Sequence, residues 1–388
     1  MDKVRIGVVG LGVMGSGLLK GMIEEKSPEF TVTAVCDIRP ERALKYGQEY
    51  GLPHFPDAAA LYASGLVDAV YIATPHYWHA PRTVEAAQAG LHVLCEKPLA
   101  VTIGAAQAMV EQCRKHRVTL GCMFMQRTRG MMKTMHDLIR AGELGEVFRI
   151  SMICSCWFRT QFYYDSGNWR GTWDGEGGGV MMNQAPHSLD LFQWFGGLPK
   201  AVVAQVATRG HRIEVEDTVN VVCDYDAGRT GYIYGTTSEA PGTEQFIVAG
   251  EKGTLVAENG ILRLGKLQTG VLEYQQNSRD LYGGPKCDWQ EIKYETFRDG
   301  WHLNVVHAWV RHILRGEPMV CSGEEALNET QLCNAIYLSG FTGKRVELPV
   351  DGDEIERLLA RLERQRSSGR GGHLRTAAKR ELTKLRRK

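Results

Sequence analysis

Val4-Arg5-Ile6-Gly7-Val8-Val9-Gly10-Leu11-Gly12-Val13-Met14-Gly15 decides the fold of this chain. An apolar strand runs straight into glycines spaced Gly-x-Gly-x-x-Gly, and residues 15–23 continue as a helix. In that setting each glycine has a physical task. Gly10 permits the turn, Gly12 lets backbone approach a pyrophosphate, and Gly15 lets helix and strand pack closely. The helix N-terminus, with Val13 and Met14 in its first turn, then faces the negative charge of a dinucleotide. Asp37 ends the next apolar stretch, residues 30–36, where a carboxylate accepts hydrogen bonds from both hydroxyls of an adenosine ribose and repels a 2′-phosphate. NAD is therefore the expected cofactor. Arg39, two residues on, can partly offset that repulsion and leaves NADP as the alternative.

Apolar strands recur at residues 67–73, 91–95 and 118–122, separated by helical stretches such as 80–89 and 103–116. Short buried strands alternating with helices predict a parallel sheet covered on both faces. The rhythm changes after residue 147. Strand-like runs at 147–156, 201–208, 218–225, 230–237 and 245–248 follow one another across Gly-rich turns, which predicts a largely antiparallel second domain. Helices return at 302–315, 323–338 and 353–365. The fold class is α/β, divided as a dinucleotide-binding Rossmann domain over 1–125, completed in part by the C-terminal segment, and a substrate-binding and oligomerisation domain over 126–350. A helix and basic tail over 351–388 follow.

At 388 residues the chain is long for one core, which agrees with two domains. The net charge of +1 predicts no special affinity for nucleic acid or a membrane surface. No segment reaches the length of a membrane span, and a strand begins almost at once, so neither an anchor nor a leader is expected. The ten cysteines include no C-x-x-C pair and no metal-like array, so they read as reduced cytoplasmic thiols and no metal is expected. Beyond Arg364 the charge is one-sided, with Arg366, Arg370, Arg375, Lys379, Arg380, Lys384, Arg386, Arg387 and Lys388 against Glu381 alone. A solvated, partly helical tail is the simplest reading; an anionic partner or a subunit contact is the alternative. Residues 367–372 read as a flexible linker.

Glu96-Lys97-Pro98 places a lysine at the C-terminal edge of a parallel strand, where open α/β sheets bind their ligands. Thr74-Pro75-His76-Tyr77-Trp78-His79 follows the third strand and would pass under the cofactor, either as a plain loop or as a nicotinamide-side contact. A hydride leaves a carbinol carbon most readily while the hydroxyl proton is being removed, so the protein must supply a base and hold the oxygen. Lys97 can donate to that hydroxyl or, with a lowered pKa, share in the proton transfer. His187 titrates near working pH and suits the same task, although a satisfied or surface histidine is the plain alternative. If residues 180–190 form one helix, Asn183, His187 and Asp190 share a face. The stretch 157–176 holds Trp157, Phe158, Arg159, Phe162, Tyr163, Tyr164, Trp169, Arg170, Trp173 and Glu176 among Gly, Ser, Asp and Asn. Flat aromatics with Arg and carboxylate partners suit the apolar faces and hydroxyls of sugar rings, against the simpler reading of aromatic core. Trp157, Arg159, Tyr163, Tyr164, Trp173 and Asn183 are the candidate substrate contacts.

The glycine turn, Asp37, Ala73-Thr74-Pro75 with His79, Glu96-Lys97-Pro98, Gln126-Arg127, and the stretch from Trp169-Arg170 through Gly177-Gly178-Gly179 to His187 and Asp190 resemble the Gfo/Idh/MocA oxidoreductases. That family is named for glucose–fructose oxidoreductase and inositol dehydrogenase. Gly323-Glu324-Glu325-Ala326-Leu327 resembles its late helix, and the resemblance runs from residue 3 to 349, leaving the basic tail outside. It implies a Rossmann domain joined to an α/β domain whose open sheet makes a dimer face, hence a homodimer or homotetramer, NAD or NADP, and a carbohydrate or cyclitol substrate. It also implies cofactor contacts from Thr74, Pro75, His79, Glu96, Lys97 and Gln126, with Trp169 and Arg170 nearest the nicotinamide. Gly-Gly-Gly-Val followed by Asn-Gln-x-x-His resembles a subgroup that oxidises ring carbons of sugars and glycosides. One position departs from the pattern: many members carry aspartate where this chain has Asn183. An amide cannot raise the pKa of His187, which is then expected to be the only strong acid or base on that face. Trp301-His302 is a candidate for the rim. The reading is an NAD-dependent dehydrogenase acting on a secondary hydroxyl through Lys97 and His187. Its rivals are redox-neutral glycoside cleavage with tightly held NAD and a non-catalytic cofactor-binding regulator.

Overall fold

Strand β1 (Val4–Val9) occupies the middle of a six-stranded parallel sheet with β2 (Phe30–Cys36), β3 (His54–Phe55), β4 (Ala69–Ile72), β5 (His92–Cys95) and β6 (Leu120–Cys122), in the order β3-β2-β1-β4-β5-β6. This computed structural model describes residues 2–296, 298–366 and 374–386. β4 is buried throughout, β1 except at Arg5 and β5 except at His92, which is why they read as largely apolar runs. The strand order reverses between β1 and β4, so a crevice opens at their carboxyl ends, the position where such sheets take ligands. The two-residue β3 has no apolar run to announce it and was not expected.

The second sheet has nine strands: β7 (Val147–Cys154), β8 (Ala201–Ala207), β9 (Thr218–Asp224), β10 (Thr230–Thr236), β11 (Glu244–Gly250), β12 (Gly253–Glu258), β13 (Ile261–Leu267), β14 (Cys287–Glu291) and β15 (Val346–Glu347). All neighbours are antiparallel except β7 and β10. Along β9 the residues alternate, with Val219, Val221 and Cys223 in the core and Val222 and Asp224 outward. The outer face exposes Val203, Val222 and Tyr232.

The helix Gly323–Thr342 ties the two sheets together. A reciprocal capping box starts it, Ser322 accepting from the Glu325 N–H while Glu325 accepts from the Ser322 N–H. It packs on the helix Ile103–Lys115 and on β6, and also on β8 and the helix Pro186–Gly196. Its Asn334 side chain accepts from Ile103 N (2.8 Å) and donates to Val101 O (2.9 Å), clamping the segment that follows Lys97.

The basic tail is helical and exposes Lys379 and Arg380, in keeping with the solvated reading, but it is packed onto the Rossmann domain and buries one arginine. The helix Leu374–Arg386 docks on the helix His79–Gln88 and on the 3-10 turn His76–Trp78. Arg375 is buried, its guanidinium bonded to Glu363 (2.7 Å) and Glu356 (3.0 Å). Those carboxylates neutralise a charge that the sequence pattern places in solvent, while Lys384 and Arg386 stay exposed. Residues 367–372, read as a linker, lie outside the described residues. All ten cysteines are unpaired, and only Cys156 and Cys287 are exposed. Among the described residues no helix is long and apolar enough to cross a membrane.

Candidate active site

At the end of β1, Gly10 has a φ of +92°, and a Cβ there would stand 2.6 Å from the Ala73 carbonyl oxygen. A Cβ on Gly15 would collide with the Gly10 carbonyl, whereas at Gly12 nothing lies within 4 Å. The backbone is thus folded tightly on itself and open at one point. The helix Val13–Glu25 starts there without a side-chain cap or an acidic residue in its first turn, and Val13 is 85% exposed. Its N–H groups are available to an anion. One Asp37 oxygen accepts the Leu11 N–H (2.8 Å) and the other the Arg39 N–H (2.8 Å), so this carboxylate at the tip of β2 also braces the glycine turn. The Thr74 hydroxyl beside Pro75 is buried with no partner among the described residues. These features fit the pyrophosphate and ribose of a dinucleotide.

Two cofactor assignments are corrected. Both ring nitrogens of His79 are occupied, by the carbonyls of Pro98 (2.8 Å) and Thr74 (2.9 Å), and the residue has no exposed surface. His79 therefore braces the loop after β4 against the segment after β5. Glu96 is likewise buried, accepting the Tyr71 hydroxyl (2.6 Å) and the Lys97 N–H (3.2 Å), so it anchors the strand end. The buried Gln126 accepts from Arg129.

Lys97 emerges from that strand end. Its Nζ donates to the Asn183 carbonyl (2.8 Å) and lies 3.5 Å from the Asn183 side-chain oxygen. Burial lowers its pKa, and the carboxylates of Glu96, Glu176 and Glu329 oppose that shift. Residues 180–190 do not form one helix: Val180–Asn183 ends, and Pro186–Gly196 begins with proline in its first turn. Asp190, expected on the same face as His187, is instead buried in a paired contact with Arg127 (2.8 and 2.7 Å). That ion pair, with the guanidinium over Trp194, fixes the helix that carries His187.

His187 lies edge-on to Phe124 at 5.9 Å, and its Nδ1 is buried without a partner among the described residues. Burial, together with the nearby charges of Lys97 and His302, holds its pKa well below the ordinary histidine value. It is a neutral imidazole rather than a group titrating near working pH. His302 thus reaches the site electrostatically, while Trp301 is exposed.

Lys97 and Asn183 share their site with a carboxylate to which the sequence pattern gives no role. Glu176 is 1% exposed, one carboxyl oxygen accepting the Gly171 N–H (2.7 Å) and the other a close hydrogen bond from the Asn183 amide. Burial pushes its pKa up to about 7. A signal for it stood in the next three residues. A Cβ at Gly178 or Gly179 would strike the Tyr337 hydroxyl or the Glu216 carbonyl, so backbone is pressed into the interior there and carries its neighbour inward. Glu329, buried near Lys97, had no such signal.

The loop before it divides. The Tyr163 hydroxyl accepts from Arg170 (2.6 Å), Asn183 (3.2 Å) and Gln184 (3.2 Å). Arg159 and Arg170 lie over its ring, Arg159 is also near Trp157, and Arg170 also covers Trp169. Trp169 meets His76 edge-on at 5.7 Å. Trp157, Arg159, Tyr163, Trp169 and Arg170 therefore gather beside Asn183. Tyr164 and Trp173 do not. Tyr164 is buried with its hydroxyl on Thr237 (3.1 Å). Trp173 is 0% exposed, its indole N–H on the Glu214 carbonyl and its ring against Tyr337 and Phe341. Both are core aromatics, which corrects their assignment to the substrate.

Residues 4–124 match the family model described as an oxidoreductase family with an NAD-binding Rossmann fold, and residues 132–256 match the GFO/IDH/MocA C-terminal domain. D-xylose 1-dehydrogenase (NADP(+)) 2 of Haloferax volcanii is 28% identical over 341 residues, covering 87% of this chain and 98% of that protein. Myo-inositol 2-dehydrogenase of Thermotoga maritima is 26% identical over 337 residues, covering 83% and 92%. Among solved structures, the WlbA dehydrogenase from Bordetella pertussis in complex with NADH and UDP-GlcNAcA is similar with a TM-score of 0.75 and 28% identity, covering 90% of this chain and 100% of that one.

Proposed function

This chain belongs to the Gfo/Idh/MocA family of NAD-binding Rossmann oxidoreductases, and on that premise we propose that it interconverts a secondary alcohol and a ketone on a sugar, glycoside or cyclitol. One observation carries the reading: the Lys97 ammonium, the Asn183 amide and a neutral His187 imidazole, its Nδ1 without a partner among the described residues, stand together beside the crevice. The glycine turn, Asp37, Thr74 and Pro75 hold NAD, which when bound supplies two-electron redox chemistry at its nicotinamide ring. Asp37 supports NAD over NADP.

Three side chains of the protein handle the oxygen. Neutral His187 takes the hydroxyl proton in oxidation and returns it in reduction. Lys97 donates a hydrogen bond to the same oxygen and stabilises its developing negative charge. Asn183 holds Lys97 in place through its backbone carbonyl and, with its amide nitrogen donating to Glu176 and Tyr163, leaves its side-chain oxygen to accept from a neighbouring hydroxyl. Trp157, Arg159 and Tyr163 supply aromatic surface and donors suited to a polyol ring, and Trp169 and Arg170 border the nicotinamide side. The names of the Haloferax and Thermotoga relatives, which act on xylose and myo-inositol, support a substrate of this class. Unpaired cysteines support a cytoplasmic setting, and the outward apolar residues Val203, Val222 and Tyr232 support a homodimer or homotetramer through the nine-stranded sheet.

The test is NADH absorbance while sugars, cyclitols and aryl glycosides are each incubated with protein and NAD. The expected result is NADH growth with one substrate class and its loss in Lys97→Ala. Aglycone release without NADH would replace net oxidation by redox-neutral cleavage. Binding without turnover of any substrate would replace it by a regulator.

A further inference from the structure

We infer that Glu176 is a positioning residue of the reaction centre, whose ionised carboxylate sets the orientation of the Asn183 amide and through it the place of the Lys97 ammonium. The inference rests on the dehydrogenase reading above and adds to it a group outside the Lys97 and His187 pair.

An amide side chain has one donating and one accepting end. The Asn183 nitrogen donates to Glu176, and its oxygen is left at 3.5 Å from Lys97 Nζ, the end that suits a cation. The second Glu176 oxygen is pinned by the Gly171 N–H, so the carboxylate cannot swing away without giving up that bond. Protonation reverses the logic. A carboxylic acid can donate to the amide oxygen, Asn183 then turns, and its N–H₂ end meets the Lys97 ammonium, donor against donor.

The surrounding charges are mixed. Lys97 and Glu96 face the cluster from the end of β5, and Arg170 approaches to 3.8 Å from the loop. The hydroxyls of Tyr163 and Tyr164 belong to the same loop. His76, from the turn after β4, is bonded to the Glu176 carbonyl (2.9 Å) and held neutral by burial. Glu329 meets Lys97 from the bridging helix. Burial outweighs the cations and places the Glu176 titration at about 7, within the working range of an enzyme.

The experiment is the pH profile of kcat/KM for wild type, Glu176→Gln, Asn183→Asp and the double variant, with NADH affinity and melting temperature measured beside it. Wild type should lose activity on the acid side with a midpoint near the Glu176 value of about 7. Glu176→Gln should lose that limb and about tenfold to a hundredfold in kcat/KM, the worth of one charge-assisted hydrogen bond, at unchanged NADH affinity. The double variant moves the carboxylate to position 183, beside Lys97, and should recover the limb and most of the rate. An unchanged limb in Glu176→Gln, or a loss that the double variant does not repair, overturns the inference.

If Glu176→Gln does not fold, Asn183→Asp alone decides. Two adjacent carboxyls share a proton, so the limb should move to higher pH, and an unmoved limb overturns the inference. Should wild type form no NADH with any substrate, the functional reading fails separately. Infrared titration of the carboxyl band then still tests the coupling: the band should titrate near the same midpoint and shift upward in Asn183→Asp, and an unshifted band overturns it.

Discussion

Backbone N–H groups form one wall of the crevice, and buried ionisable side chains form the other. The glycine turn offers dipoles that no pH in the working range alters. The opposite wall sets Lys97, Glu176, Glu329 and His187 together with little water, so each is shifted by burial and by its neighbours. The difference separates two jobs. Holding a cofactor needs constancy, and moving a proton needs groups balanced between two states.

The largest expected effect separates the two walls. Lys97→Ala should lower kcat by about 10³- to 10⁴-fold while NADH affinity, measured by fluorescence titration, stays put. A parallel loss of affinity would make the walls one unit.

Buried carboxylates on the side-chain wall should also give stability a pH dependence that the backbone wall lacks. Glu216, accepting the N–H groups of Gly179 and Met181 and the Tyr337 hydroxyl, is pushed by burial from 4.5 to about 7. A carboxyl with a raised folded-state pKa contributes stability that is complete below 4.5 and lost as pH rises to about 7. Glu216→Gln removes that titration. Its unfolding free energy, from denaturant titration at each pH, should gain on wild type between those limits and hold the gain above them, by up to about 3 kcal/mol. A flat difference would mean that the unfolded and folded values coincide.

Gly15→Ala should act on the opposite wall alone. Its Cβ forces the turn to shift, weakening NADH about tenfold to a hundredfold with the acid limb of the kcat/KM profile unmoved. The smallest effect sharpens the cofactor side. Asp37→Ser removes a carboxylate from the tip of β2 and should raise the NADP-to-NAD preference about tenfold, read from the two values of kcat/KM.

The two walls also differed in how readily they could be read. A wall made of backbone needs its special residues in one contiguous stretch, so Gly10, Gly12, Gly15 and Asp37 announced both the parallel sheet and the cofactor. A wall made of side chains is assembled by packing between distant segments. Lys97 and Asn183 meet only after two domains have formed, and Tyr164 and Trp173 turn inward although they share a stretch with Tyr163. Nothing local distinguishes these outcomes. The break at Pro186 was visible in the residue type, yet the spacing of Asn183, His187 and Asp190 suggested one helix over it. In the second sheet, β12 and β13 were missed although Asn259-Gly260 between them adopts positive φ at both residues (47° and 86°), a hairpin signal flanked by alternating apolar residues.

The helix Gly323–Thr342 sets how the crevice can move. It is buried against both sheets at once, and a hinge needs an element that belongs to neither half. Swinging the Rossmann domain away from the nine-stranded sheet would break the packing of this helix on one side or the other and the Asn334 clamp with it. Outside that packing, the segment 157–170 leaves Phe158 and Phe162 exposed. The two domains themselves make one fixed frame, and a cross-link between them should leave turnover intact.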